Sequence, residues 1–282
     1  VPTRHDTSYV LHLLEAAAHD PWWMQHTFHF VYDENAQTTA YKLREWLSEN
    51  REKPLPNVRT IIAPPQATGR PNVLREIGLK QCNNAFVYFQ DDDDPLPENL
   101  VRCLEILENY PECGAVFGMT ETYTHRGQRI EIFPAMSAEK NDGRHIVDGL
   151  RIFPTYGEPL SALFRRKVFE TTPFTDGQNY QMCGSNAFAL ALLENWPNMR
   201  SLAKTIRKTR QNPDNPYSPV FDAQQQLLLA EDISLWQRYI SDPKVRRFHE
   251  MIREGLIAGD IGSFRDITAL VEQAFEDGDI LR

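Results

Sequence analysis

An α/β layered fold with a largely parallel sheet is what this sequence predicts, on three observations. Over the first two-thirds of the chain, short apolar runs of strand type alternate with longer runs of helix type, the pattern of βαβ units. The apolar run Phe86-Val87-Tyr88-Phe89-Gln90 stops abruptly at Asp91-Asp92-Asp93-Asp94-Pro95, and open α/β sheets bind ligands at such strand ends. After the breaker-rich stretch from Gln211 to Pro219, the pattern becomes helical to the end.

The elements follow in order. Leu11 to Ala18 has apolar residues at helical spacing. His29-Phe30-Val31-Tyr32 is a strand of aromatic and β-branched residues ending at Asp33-Glu34-Asn35. Thr38 to Ser48 is a helix, and Val58 to Ala63 is a strand closed by Pro64-Pro65. Gln66 to Arg70 is a loop, and Asn72 to Lys80 is a short helix. The strand at 86–89 comes next, then a helix from Glu98 to Asn109 and a strand from Ala115 to Gly118. Residues 124–150 are polar and read as irregular, with Arg126-Gly127-Gln128 as a hairpin turn. Leu160 to Phe164 is a strand, and Ser185 to Glu194 is apolar enough for a buried helix. Beyond 223, Leu227, Leu228, Ile233, Trp236, Tyr239 and Ile240 fall near helical spacing, as amphipathic helices require.

Length and composition narrow the function classes. The 282 residues suit one large domain or two small ones. No stretch approaches the roughly 18 apolar residues of a membrane span. Val1-Pro2-Thr3-Arg4-His5 does not read as a signal peptide. A net charge of −9 disfavours a broad non-specific DNA-binding surface, though a local basic groove stays open. Cys82, Cys103, Cys113 and Cys183 form no CxxC pair, so no zinc site is expected, and Cys103 falls at a core position. With no N-x-S/T sequon, the expected compartment is reducing and cytoplasmic.

Four adjacent carboxylates repel one another, and a fold that gathers them at a strand end needs a cation to offset them. Hard oxygen ligands suit Mg²⁺ or Mn²⁺, and Mg²⁺ is commonly held by one or two carboxylates plus substrate phosphates. In an extended segment Asp91 and Asp93 face one way and Asp92 and Asp94 the other, which gives one pair to a ligand and the other to capping or support. The alternative is a solvated acidic turn that caps the helix after Pro97.

With these elements in order, the chain resembles a glycosyltransferase of the GT-A (Rossmann-like) fold, and more closely the family 2 transferases that use nucleotide sugars. The likeness covers roughly residues 1–210. Pro2-Thr3 matches the pair ending that family's first strand, and Asp33 the Asp that reads the nucleotide base. Leu74-Arg75-Glu76-Ile77-Gly78 keeps the family's Arg and Gly but has Glu where it has Asn. Asp91-Asp92-Asp93-Asp94 satisfies the acidic D-x-D-D motif, with Pro97 and Leu100 following as in the family.

The resemblance implies a catalytic unit over 1–215 and a helical extension over 216–282. Residues 1–95 would form the nucleotide-binding half of that unit and 96–215 the acceptor half. It implies transfer of a sugar from a nucleoside-diphosphate donor, UDP-sugar favoured, to a hydroxyl on a polysaccharide, lipid, protein or modified DNA. A Mn²⁺ or Mg²⁺ ion held by Asp93 with help from Asp91 would act as a Lewis acid on the departing diphosphate. Pro2, Thr3, Asp33, Arg75, Asp91, Asp92 and Arg207 would bind the donor. For Arg75 a helix-surface salt bridge is the competing reading.

The chain also departs from the family pattern. The Glu-Asp pair that supplies the base in inverting members is missing from 180–189. Glu158 and Asp176 are the candidate bases, although Asp176-Gly177 is also a strong turn signal. A retaining reaction, in which the leaving phosphate assists proton removal, is the alternative. No His stands near Thr205 to Asn212 to complete a metal shell, and Arg207, Lys208 and Arg210 are either diphosphate contacts or a solvated face.

Other signals are weaker. His249-Glu250-Met251-Ile252-Arg253 falls one residue short of HExxH and reads as helix surface. Trp22-Trp23 is either core or a stacking platform for an acceptor. The absence of GxxxxGK[ST], GxGxxG and GxSxG lowers the odds of kinase, dehydrogenase and serine-hydrolase chemistry. Three other functions stay open: a DNA-modifying glycosyltransferase of phage type acting on hydroxymethylated bases, a nucleotidyltransferase, and an inactive sugar-nucleotide-binding protein.

Overall fold

The computed structural model describes residues 1–3, 7–124, 128–133, 145–154, 158–172, 174, 184–210 and 220–278. Its strands are β1 (Pro2–Thr3), β2 (Thr27–Tyr32), β3 (Asn57–Ile62), β4 (Phe86–Tyr88), β5 (Ala115–Tyr123), β6 (Arg129–Phe133), β7 (Ala162–Arg165) and β8 (Arg200–Arg210). The helices are α1 (Thr7–Ala18), α2 (Gln37–Glu49), α3 (Pro71–Lys80), α4 (Leu100–Asn109) and α5 (His145–Ile152). After them come α6 (Val168–Thr171), α7 (Gly184–Asn195), α8 (Ala223–Trp236), α9 (Pro243–Ala258) and α10 (Phe264–Asp277).

The α/β alternation expected from the sequence is present, and it builds two sheets. In the first, β1, β2 and β3 run parallel, with Thr3 opposite Tyr32 and Tyr32 opposite Ile62. The second is mixed: β5 pairs antiparallel with β6 and β7, β7 antiparallel with β4, and β8 parallel with β5. Parallel β1 and β2 end side by side, so Thr3 and Asp33 emerge at the same sheet edge.

Two glycines allow close approaches that the site needs. A Cβ on Gly78 would lie 3.0 Å from Val31 Cγ2, so glycine lets α3 press against β2. A Cβ on Gly118 would lie 2.7 Å from Ile206 Cγ1 and 2.9 Å from the Lys204 carbonyl oxygen. Gly118 thus sets how closely β8 lies against β5, at the point where the β5–β8 register shifts.

Several expectations change. Residues 124–150, read as irregular, contain β6 and α5. Thr124 N–H donates to the Gln128 carbonyl at 2.8 Å, closing the predicted hairpin, while Arg126 and Gly127 lie outside the described residues. Thr205 to Arg210, read as a basic cluster, is the end of β8. His249, read as helix surface, is fully buried, with its Nε2 2.8 Å from the Ile152 carbonyl oxygen. The reason is that α9 turns this face inward, onto a core that joins Ile152, Phe153, Ala187 and Leu190 to Trp236, Ile252 and Val271 of the C-terminal helices. Cys103 is buried at a core position, as expected.

No helix among the described residues is long and apolar enough to cross a membrane.

Candidate functional site

The site is built on the turn after β4. The strand ends at Tyr88, and Gln90 then reorganises the chain. Its Nε2 donates to the carbonyl oxygens of Asp91 at 3.0 Å, Asp94 at 2.9 Å and Pro95 at 3.1 Å. Asp94 N–H lies 3.4 Å from the Asp91 carbonyl oxygen. The four aspartates therefore form a turn, and the extended alternation that would pair Asp91 with Asp93 does not form. Asp91 and Asp94 instead converge on one guanidinium.

That guanidinium is Arg207, carried by β8 opposite Thr120 of β5. Its Nη2 donates to Asp91 Oδ2 at 2.6 Å and to Asp94 Oδ2 at 3.0 Å. Arg75 reaches the other oxygen of Asp91 at 2.5 Å, and its Nη1 donates to Asn72 Oδ1 at 2.8 Å. Arg75 and Arg207 are both buried, at 9% and 5% exposure. The solvated-face and helix-surface alternatives thus give way to a buried ion cluster.

Three more bonds fasten the turn to β8. Arg210 N–H donates to Asp94 Oδ1 at 3.1 Å. Asn99, in the left-handed region at φ 56°, donates from Nδ2 to the Thr205 carbonyl at 2.8 Å. Lys208 pairs with Glu98. No aspartate caps α4: its N-cap position is Asn99, which makes no side-chain cap bond.

The electrostatics follow from burial and these partners. Burial alone would raise the Asp91 carboxyl, but Arg75 and Arg207 outweigh it and hold Asp91 well below the usual carboxylate range. Asp94 is pushed up to about 7, first by burial and then by the charges of Asp91 and Asp93, with Arg207 opposing. Burial would lower Arg207, yet Asp91, Asp94 and Glu158 keep it firmly protonated. Asp93 is half-buried and makes no hydrogen bond or ion pair with a described residue.

The other predicted residues gather around the turn. Thr3 is fully buried, with Oγ1 3.3 Å from the Val1 carbonyl oxygen, beside Pro2 in β1. Asp33, at 4% exposure, accepts from Ala36 N–H at 3.1 Å and starts a single 3₁₀ turn, Glu34–Ala36. Burial raises the Tyr32 hydroxyl, with Asp92 adding to the rise. That coupling, with β1 paired to the end of β2, puts both strand ends beside the acidic turn. Asp92 is buried at 5% exposure.

Glu158 belongs to the same neighbourhood. Its charge acts on both Arg207 and the Tyr88 hydroxyl, and its Oε1 accepts from Leu160 N–H at 3.3 Å. Asp176 lies outside the described residues. Trp23 is core, whereas Trp22 lines a cavity of about 300 Å³ between β2 and β4. That cavity reaches Arg75 and Gln90, and its lining mixes apolar side chains such as Phe28, Val31 and Val87 with polar ones such as His26, His29 and Asn84.

Sequence reasoning missed Gln90, Asn99 and the pairing role of Asp94. Gln90 stands directly before the four acids, a polar residue closing an apolar run, and that position was its one available signal. Among the described residues, the hydroxyls of Tyr32, Tyr88 and Thr120, Arg75 Nε, and Arg207 Nε and Nη1 are buried without a hydrogen-bond partner, as are Trp236 Nε1 and His249 Nδ1 in the helical core. Each such group costs about 1–3 kcal/mol.

A divalent cation fits this donor set in part. The turn offers carboxylate oxygens, the ligands Mg²⁺ and Mn²⁺ prefer. Asp93 is the open one, and both oxygens of Asp91 are engaged by arginines. No group of three or more His, Cys, Asp or Glu side chains suited to a metal forms among the described residues. A cation here would therefore depend on ligands from a bound phosphate as well.

The sequence matches no protein-family model and no curated protein. Solved structures do match in fold. The chain is similar to S. aureus TarS 1-349, with TM-score 0.54 and 14% identity, over 100% of this chain and 91% of that one. Crystal structures of that protein in complex with UDP and with UDP-GlcNAc match equally well. A longer S. aureus TarS structure matches at 16% identity, covering 88% of this chain and 42% of that one. The fold is thus the GT-A type of α/β structure that the resemblance implied.

Proposed function

We propose that this chain is a glycosyltransferase that moves a sugar from a nucleoside diphosphate, UDP-sugar favoured, to a hydroxyl acceptor. The observation that carries the reading is the acidic turn at the end of β4, fastened by Arg75 and Arg207 beside Thr3 and Asp33. It sits within a fold shared with a protein crystallised with UDP and UDP-GlcNAc.

The assigned roles follow from the chemistry of the residues. Asp33 accepts a hydrogen bond from the base, and Thr3 offers a hydroxyl beside it. Arg75 stands near enough to the turn to meet a phosphate with its unpartnered Nε. Asp93 would hold a Mn²⁺ or Mg²⁺ ion, which when bound offsets the charge that builds on the departing diphosphate. In the transfer, the bond from the anomeric carbon to the diphosphate oxygen breaks and a bond to the acceptor oxygen forms. Glu158, or Asp176, would take the acceptor's proton; Glu158 is supported by lying close enough for its charge to act on Arg207.

The test is a thermal-shift and product-release screen of UDP, GDP and their sugars, each with and without Mn²⁺. Donor binding to the folded chain should raise the melting temperature by several degrees at about 100 times Kd. With a suitable acceptor, nucleoside diphosphate should be released, and Glu158→Gln should lower turnover about 100-fold or more while donor binding persists. Absence of both binding and release across the whole panel would defeat the reading.

A further inference from the structure

The acidic turn already contains its own cations. Arg207 Nη2 serves Asp91 at 2.6 Å and Asp94 at 3.0 Å, while Arg75 takes the second oxygen of Asp91 at 2.5 Å. Two guanidiniums against two carboxylates leave this buried group without net charge when both acids are ionised. Asp93 is close enough for its charge to act on Asp94, but it makes no bond to a described residue. A metal ion sharing Asp91 with Arg207 would meet a fixed positive charge at contact distance, and that repulsion is largest where water is excluded.

We infer that Arg207 is the resident counter-cation of the turn, a positioning residue that withholds Asp91 and Asp94 from divalent ions and leaves Asp93 to meet one. The purpose of this arrangement rests on the donor chemistry proposed above, because phosphates would then complete the ion's shell. The geometry of β8 makes the role specific. The same strand that presents Arg207 also fixes Asp94 through the Arg210 N–H and holds Asn99 through the Thr205 carbonyl. Without nucleotide, the turn should be a poor metal site despite its four acids.

The test uses Mn²⁺ alone, by titration calorimetry on the intact chain. Arg207→Gln uncovers Asp91 and Asp94 next to Asp93, and it should bind Mn²⁺ at least about tenfold more tightly than the unsubstituted chain. Adding Asp94→Asn should remove most of that gain. Arg207→Lys keeps a charge at the position and should stay within about threefold of the unsubstituted chain. Equal Mn²⁺ affinity in Arg207→Gln and the unsubstituted chain overturns the inference, as does a gain in Arg207→Lys equal to that in Arg207→Gln. If Arg207→Gln does not fold, Arg207→Met removes the same charge from an unbranched side chain of similar reach. It should show a gain of the same sign, and unchanged affinity there is equally fatal. No nucleotide enters these measurements, so failure of the donor reading, seen as no response to any nucleotide sugar, is distinguishable from failure of this one.

Discussion

The acidic turn and the C-terminal helical core both bury titratable groups, and they manage the cost in opposite ways. At the turn, Asp91 stays charged because Arg75 and Arg207 surround it. In the helical core, His249 has no charged partner among the described residues: burial lowers it to about 4, and among those residues it bonds to the Ile152 carbonyl. One region keeps a buried charge by pairing it; at His249 the other gives the charge up. A site meant to meet an ionic ligand needs the first solution, whereas a region that only packs can use the second.

The comparison breaks most sharply at Arg207. Arg207→Leu leaves buried Asp94 without its guanidinium and Asp91 with Arg75 alone, and it should cost about 3–5 kcal/mol, measured by urea unfolding. A loss below about 1 kcal/mol would mean that the turn is wetter than its burial implies.

The helical core should respond to pH instead. His249 is neutral when folded, so its contribution is fully present above the unfolded value near 6.5 and is lost as pH falls toward 4. About 3 kcal/mol should disappear across that window. His249→Gln should flatten that part of the stability–pH curve. An unchanged curve would show that another group sets it.

A smaller effect tests the strand that joins the two halves of the site. Gly118→Ala places a methyl 2.7 Å from Ile206 Cγ1 and 2.9 Å from the Lys204 backbone oxygen. It should destabilise by about 1–3 kcal/mol through displaced packing, and it should weaken donor binding if β8 shifts with it. The smallest effect belongs to the Lys208–Glu98 pair, where the Glu98 side chain is 53% exposed. Lys208→Ala should change stability by less than about 1 kcal/mol, a control showing that only the buried charges at the turn matter.

Much of this was legible beforehand, for definable reasons. β2, β3 and the buried helix α7 announce themselves through apolar residues, and the acids through their abrupt position after Phe89. The partners of the acids were hidden by distance along the chain, since Arg207 lies 116 residues from Asp91. The end of β8 read as a basic cluster because Arg207, Lys208 and Arg210 are typical of surfaces. Arg207 is buried only because carboxylates from another element neutralise it, and a local pattern cannot show that. The turn geometry escaped for a related reason: the side chain of Gln90 ends the strand, overriding the extended alternation that four identical residues suggest. His249 was misplaced because a single polar residue on a helix gives no sign that a carbonyl from residue 152 will receive it.

The core shared between the C-terminal helices and residues 152–153 has a practical consequence for anyone trimming this protein. Clipping the chain after β8 would uncover Phe153, Ala187 and Leu190, an adhesive apolar floor. The shortened product should aggregate, and the last three helices are better regarded as the back wall of the fold than as a detachable appendage.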